Sequence, residues 1–433
     1  MERSRIALAL TGVVVLGAVG TASANDGLAR TVEGSACQAE ARQPERGPDI
    51  DGDGHGDLLL ETGGDGSTGV ETGRIYVRYG GGAGARTAYF TQKDFGLRGQ
   101  QSPVGGSATG IPAVADLDGD GADDIVTGAR PAVRWGGPHA AAPTRLRFPY
   151  APDAETAHPP VTGDFDGDGH PDLASLRVGS DHAELVVLYG PFTREGRPAR
   201  TEVRRTPDSV RPAFASGLTL VAAEATGDGV DDLIEYAPGA HATPYLLPGK
   251  RGGGFGAARA LPAGDALAVG DYDGDGLPDL AIGDSGVPDD DGESPVANRR
   301  GRVLVVYGKD RAHPVVLEGG APRGGFGLGV LTADLDGDGC DDLAVRAAPD
   351  RWLETDTLTV LHGGSAHGLG SAPWRRLGKS PVLAERAVET GDGRQDLLVT
   401  EGDGQGGAGE RRLVGLRDLV GLRDLVGLRD SDS

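Results

Sequence analysis

Apolar residues in this chain fall in short bursts. Ala266-Leu-Ala-Val269, Leu280-Ala-Ile282 and Glu184-Leu-Val-Val-Leu-Tyr189 are bounded by Gly, Pro and Asp, which is the pattern of strands. One group of runs is β-branched or aromatic and ends on glycine. Its clearest members are Gly73-Arg-Ile-Tyr-Val-Arg-Tyr79-Gly80, the Tyr189-Gly190 run and Gly301-Arg-Val-Leu-Val-Val-Tyr307-Gly308. Weaker versions are Val133-Arg-Trp135-Gly136, Tyr245-Leu-Leu-Pro-Gly249 and Leu358-Thr-Val-Leu-His-Gly363. Each reads as a strand closed by a tight turn. Thr87–Phe90, Arg145–Phe148, Thr201–Arg204 and Pro314–Leu317 are candidates for a further strand after each of these. Phe-Gly pairs at Phe255-Gly256 and Phe326-Gly327 come before two of the sets. The pattern predicts an all-β chain of many short strands.

Between the strands lies a repeated acidic loop. Complete copies are Asp49, Asp51, Asp53, Asp57; Asp116, Asp118, Asp120, Asp124; Asp164, Asp166, Asp168, Asp172; Asp271, Asp273, Asp275, Asp279; and Asp334, Asp336, Asp338, Asp342. Glycines stand between the carboxylates and let the backbone turn sharply, so that alternate side chains converge. Four carboxylates this close repel one another, and a hard cation with six to eight oxygen ligands relieves that repulsion. Ordinary Asp/Gly turns are the plainer reading, but a turn has no need of four spaced carboxylates. An EF-hand loop would close on Glu at its twelfth position and run into a helix. Here the twelfth position is Ile282, inside a predicted strand, so that reading fails. Two degraded copies, starting at Glu224 and Val388, fill the gaps in the series. Loops recur roughly every 56 residues, a period that points to propeller blades.

The order Phe-Gly, apolar strand, Asp-x-Asp-Gly-Asp-Gly-x-x-Asp-Leu, then Val-x-Val-x-Tyr-Gly resembles the FG-GAP repeat. That repeat builds the integrin α-chain β-propeller and many secreted bacterial proteins also called VCBS-repeat proteins. The resemblance covers roughly residues 45 to 418. It implies a seven-bladed β-propeller of four-stranded antiparallel blades, with Ca²⁺ in the turn between the first two strands of a blade. The twenty aspartates named above would be the ligands, with the seventh loop position (Leu277 in one copy) giving only its carbonyl. Five sites are expected, with weak binding at the Glu224 loop and none at the Val388 loop. The expected organisation is a signal peptide over 1–24, an irregular segment over 25–45, the propeller over 46–418 and a tail over 419–433. Where other repeats have an apolar run before the loop, the first has Gln43-Pro-Glu-Arg-Gly-Pro48, so its inner strand is not placed.

Composition and charge fit this picture. Glycine supplies 75 of 433 residues, far above the usual ~7%. The formal charge of −23 is largely loop carboxylate, and no basic stripe of a nucleic-acid binder is present. Arg3 and Arg5, the apolar stretch Ile6–Val19 and Ala22-Ser-Ala24 read as a secretory signal cleaved after Ala24. The apolar stretch is shorter than the roughly 20 residues of a membrane span. A secreted monomer with no membrane span is expected. Cys37 and Cys340 are the two cysteines; export permits a disulfide, and whether they pair is left open. Three copies of Leu-Val-Gly-Leu-Arg-Asp start at Leu413, Leu419 and Leu425. The first aligns with the third strand of a seventh blade. The later copies are either strand duplication or a ring-closing strand paired into the first blade.

Gly283-Asp-Ser285-Gly-Val-Pro288 imitates a serine-protease nucleophile, but no matching histidine context accompanies it. The histidines are scattered singly, His55 and His170 sit at the carbonyl position of their loops, and none looks like a zinc ligand. The expected function is a non-enzymatic binding or adhesion scaffold for an extracellular protein or carbohydrate. The alternative, a propeller-based polysaccharide lyase or hydrolase, needs a clustered acid and base beyond the calcium ligands.

Overall fold

The short apolar bursts become strands, and each set becomes one antiparallel sheet. The computed structural model describes residues 37, 47–62, 74–81, 86–96, 113–127, 131–138, 142–149, 156–157, 160–178, 183–206, 218–237, 242–286, 300–320, 324–348, 357–365, 368–370, 375–377, 382–389, 394–401 and 410–414. Among the described residues seven sheets follow one another along the chain, and the strands within each pair antiparallel. The fifth is the most regular, with strands Ala266–Gly270, Asp279–Asp284, Arg302–Val306 and Val315–Glu318 in sequence order. Its register sets Val269 beside Leu280, Leu280 beside Val306 and Val303 beside Leu317. The second, fourth and sixth sheets repeat this four-stranded order, and the third adds Thr156–Ala157 on its inner side. Apart from the strands, only two short 3₁₀ turns, Gln92–Phe95 and Gly308–Asp310, occur among the described residues. No helix among them is long and apolar enough to cross a membrane.

Both faces of the inner strands are buried, which is why their sequences read as continuous apolar runs. In Asp279–Asp284, Ala281 packs with Val303, Val305, Leu343 and Val345 towards the sixth sheet. Leu280 and Ile282, pointing the other way, pack with Ile234 and Leu246 of the fourth sheet. The same sharing joins the first sheet to the second through Leu59, Ile75, Val77 and Ile125. Val126, Val133, Val186 and Leu188 join the second to the third, and Leu176, Leu185, Leu220 and Leu233 the third to the fourth. The core is therefore a series of apolar layers between consecutive sheets, not one central mass.

Three details depart from or complete the sequence reading. Among the described residues no strand precedes Asp49; the first sheet has Leu58–Thr62, Arg74–Arg78 and Thr87–Phe90. The strand expected over Arg145–Phe148 is only Thr144–Arg145. Beyond it Leu146 and Phe148 turn into the apolar layer against the third sheet, and Arg147 donates to the Gly196 carbonyl instead of a ladder partner (2.9 Å). In the seventh sheet the third strand is Glu410–Val414, pairing Leu397 with Val414, so the start of the first tail copy is a strand as expected. Residues 1–36 and 415–433, with the signal and the later tail copies, lie outside the described residues.

One charged side chain sits inside an apolar layer. Glu235 lies on the strand Asp232–Tyr236, two residues after Leu233 and hence on the same face, towards the third sheet. It is 1% exposed, and neither carboxylate oxygen has a hydrogen-bond partner. Burial pushes its pKa from 4.5 to about 7, opposed only in part by Arg204. A raised carboxyl pKa gives stability that is full below about pH 4.5 and is lost as pH climbs through about 7. Glu235→Gln cannot ionise. Its stability in urea relative to the wild type should therefore rise by about 3 kcal/mol between pH 4.5 and pH 8. A difference that stays constant with pH would show that Glu235 does not titrate in the fold.

Candidate metal sites

Each acidic loop is built by its own carboxylates accepting backbone N–H groups, and each position has a fixed task. The first carboxylate folds the loop: Asp116 accepts from the N–H groups of Gly119 (2.8 Å), Asp120 (3.0 Å) and Gly121 (2.9 Å). In the degraded fourth loop Glu224 takes over this task, accepting from Thr226, Gly227 and Asp228. The fifth-position carboxylate accepts from the seventh-position N–H, as Asp275 does from Leu277 (2.8 Å).

The ninth-position carboxylate is buried and bridges two strands. Asp279, 0% exposed, accepts from the Tyr272 N–H (2.9 Å) and from the Gly308 N–H (2.7 Å). Asp57, Asp124, Asp172, Asp232 and Asp342 do the same between the second loop position and the glycine that ends the third strand. This explains the Tyr-Gly landmark. A Cβ at Gly308 would stand 2.7 Å from the Leu277 side chain and 2.8 Å from the Pro278 carbonyl, so the strand end closes on the loop only as glycine. Burial raises the pKa of these carboxyls, to about 7 for Asp124, Asp172 and Asp279.

The third position differs from the rest. Asp51, Asp118, Asp166 and Asp273 each leave one carboxylate oxygen buried with no hydrogen-bond partner. Their other oxygen meets a cationic side chain: Arg86 on Asp51 (2.8 Å), Arg194 on Asp118, Arg200 on Asp166 (3.4 Å) and Lys309 on Asp273. In the sixth loop His362 takes this place. Its Nδ1 lies 2.9 Å from Asp342 and its Nε2 3.6 Å from Asp336. Pairing with Asp342 raises the His362 pKa to about 9.

The loops bring together most of the side chains expected from the sequence. Oxygens of Asp49, Asp51 and Asp53, of Asp116, Asp118 and Asp124, and of Asp164, Asp166 and Asp172 lie within 4.8 Å of one another. Two oxygens bound to one Ca²⁺ at 2.3–2.6 Å can be at most about 5 Å apart, so these groups could share an ion. Burial raises the pKa of Asp271 and Asp279, and repulsion adds to it, from Asp273 and Asp275 on Asp271 and from Asp273 and Asp271 on Asp279, which sets the four in one cluster. Asp336 and Asp338 gather with His362, a residue the sequence reading passed over. The signal was its place: His362 stands where the first, second, third and fifth repeats carry Tyr or Trp before the glycine. Of the seventh loop, 390–393 lie outside the described residues, and Val388 belongs to the strand Val382–Glu389.

Consecutive loops are also tied to each other. The Asp49 N–H donates to the Asp123 carboxylate (2.8 Å), and the Asp123 N–H donates back to the Asp49 carbonyl (2.8 Å). Asp164 with Asp231, Asp271 with Asp341 and Asp334 with Gln395 make the same reciprocal pair. The partner is always the eighth loop position. Pro171 and Pro278 occupy it in the third and fifth loops and have neither an N–H nor a polar side chain. The second-to-third junction keeps the bond to the second loop position's carbonyl, Phe192 donating to Leu117 (3.0 Å) as Gly137 does to Ile50 and Gly364 to Tyr272, and there Arg194 reaches Asp118 and Asp120.

Cys37 and Cys340 form a disulfide, with Cα atoms 5.5 Å apart and both residues buried. It packs on the fifth loop at Gly274, whose φ of 64° and closeness to the sulfur (2.8 Å for a Cβ) exclude a larger residue. The protease-like Ser285 is 1% exposed and gives its hydroxyl to Asp265 (2.5 Å), so the structure buries it in a turn.

Comparison with known proteins places these loops in a wider group. The FG-GAP repeat profile matches residues 263–306 and 326–351, which hold the fifth and sixth loops. Phosphatidylinositol-glycan-specific phospholipase D from Rattus norvegicus is 30% identical over 176 residues, covering 35% of this chain and 20% of that protein. The Mus musculus protein is 29% identical over 174 residues, with the same coverage. The chain thus spans about a fifth of the length of the curated relatives it matches. Among solved structures, the BP39L lectin from Burkholderia pseudomallei overlaps with a TM-score of 0.47 at 13% identity, covering 86% of this chain and 96% of the lectin. A lectin from Agrocybe aegerita overlaps with a TM-score of 0.42 at 16% identity, covering 72% and 78%.

The reciprocal pairs between loops can be tested singly. Asp123→Ala removes the acceptor for the Asp49 N–H and is expected to lower stability by about 1–2 kcal/mol. Urea unfolding measures this; a loss within error of zero would mean that the loop-to-loop bond does not hold the sheets together.

Proposed function

We propose that this chain, which is an FG-GAP repeat protein, is an extracellular seven-bladed β-propeller stabilised by calcium in its acidic loops. In this reading it acts as a non-enzymatic binding scaffold for a protein or carbohydrate. The observation that carries the calcium reading is the third loop position. A buried carboxylate oxygen without a partner recurs at Asp51, Asp118, Asp166 and Asp273. Leaving such an atom unsatisfied is unfavourable, and repetition in four loops points to a common missing ligand. Hard oxygen donors on a flexible glycine-rich turn suit Ca²⁺ better than softer metals. The first, third, fifth and ninth carboxylates of each complete loop would hold it, with the seventh-position carbonyl. When bound, the ion supplies two positive charges that cancel carboxylate repulsion and couple loop closure to folding.

The propeller reading rests on seven sheets in chain order, the first six of them stacked by shared apolar layers. Closure of such a stack into a ring would protect the outermost sheets' edges. The scaffold reading draws on the FG-GAP repeats, and on the use of Ser285 and the loop carboxylates for structure.

Native mass spectrometry of the secreted chain in millimolar calcium is expected to count five bound ions, falling to four in Asp118→Asn. No bound calcium would overturn the metal reading. A glycan array and binding to proteins of the culture medium, run beside a lyase assay on acidic polysaccharides, test the scaffold. Binding without turnover supports it, and turnover contradicts it.

A further inference from the structure

The positive side chains at the third loop position have a property that ordinary surface ion pairs lack. In three of the four pairs the carboxylate is largely buried and the cation is not, and Asp51, 23% exposed, is still less exposed than Arg86 at 64%. The Asp273 side chain is 1% exposed and its partner Lys309 55%; Asp118 is 8% exposed and Arg194 42%; Asp166 is 11% exposed and Arg200 43%. Removing the cation to water therefore carries little desolvation cost, whereas the carboxylate cannot be left alone in its loop. The other three carboxylates of each loop accept backbone N–H groups, so they are held whether or not a metal is present. In the first, second, third and fifth loops the third position accepts none of these loop N–H bonds and relies on a positive charge for its accepting oxygen.

We propose that Arg86, Arg194, Arg200 and Lys309 are resident counter-ions of the metal-free loops, and that calcium entry displaces them. Binding then exchanges one protein cation for one Ca²⁺ at each loop and releases the side chain to solvent on the rim around the loops. No covalent step is involved, and the exchange adds one net positive charge per loop within the cluster. This rests on the calcium reading above. Affinity would differ between loops according to the competitor. Lys309 is a single ammonium on a flexible stem. Arg194 bridges both Asp118 and Asp120, at 2.7 Å from the latter, and is the harder to displace. The sixth loop is a separate case: there Asp336 also accepts from the Asp338 N–H (3.1 Å), and His362 is anchored by Asp342.

Acetylation of lysines, quantified by peptide mass spectrometry in EGTA and in calcium, reads the exchange directly. Lys309 is expected to react several-fold faster in calcium, while Lys250, which is exposed, serves as the unchanged control. In parallel, isothermal titration of Lys309→Met should show one class of calcium site several-fold tighter than in the wild type. Calcium binding with unchanged Lys309 labelling and unchanged affinity in Lys309→Met would overturn the exchange and leave the calcium reading standing. Absence of calcium binding in the wild type would overturn both.

Discussion

The ninth carboxylate of each acidic loop is the contact on which the repeat depends. It is buried where an unpaired charge would be untenable, and it escapes that penalty by accepting two backbone N–H groups from different strands. One is the second residue of its own loop, the other the glycine that ends the third strand. A single side chain thereby fixes the turn between the first two strands and seats the third against it. The recurring geometry across six loops, from Asp57 to Asp342, makes six of the sheets copies of one hydrogen-bonding device.

From that device the larger structure follows. Once each loop is closed, its first residue presents an N–H and a carbonyl at a fixed place. The eighth residue of the next loop meets both where it is Asp or Gln and cannot where it is Pro. Apolar layers between sheets do the rest, burying Leu, Ile and Val from both sides of each inner strand. The disulfide ties Cys37 to the sixth loop and rests on the fifth, so the start of the described chain is fastened to the sixth repeat across 303 residues. Cross-links spanning long loops restrict the unfolded chain most.

Much of this was legible in the sequence. The period of the Asp loops, the apolar runs and the Tyr-Gly strand ends gave the strand order, including the third strand of the seventh sheet. The missing strand before Asp49 showed as Gln43-Pro-Glu-Arg-Gly-Pro48, a stretch with no apolar run. Other features were not legible because they depend on pairs distant in sequence. The disulfide joins residues 303 apart. Arg194 reaches a loop 74 residues or more before it, and nothing local marks it as a partner of Asp118. His362 was passed over because it was judged by its isolation in sequence, whereas the fold sets it on Asp342 and Asp336. The strand over Arg145–Phe148 was overestimated because alternation cannot tell a strand from a turn whose apolar residues are drawn into a neighbouring layer.

The central claim is that the loops are cation sites whose occupancy stabilises the fold. Calorimetric unfolding of the protein in EGTA and in 10 mM calcium tests it most directly. With dissociation constants of about 10⁻⁴ to 10⁻³ M, typical of extracellular modules, each occupied loop should add about 1.4–2.7 kcal/mol. The melting temperature should therefore climb with calcium concentration and drop on chelation. Unfolding at the same temperature in both solutions would contradict it.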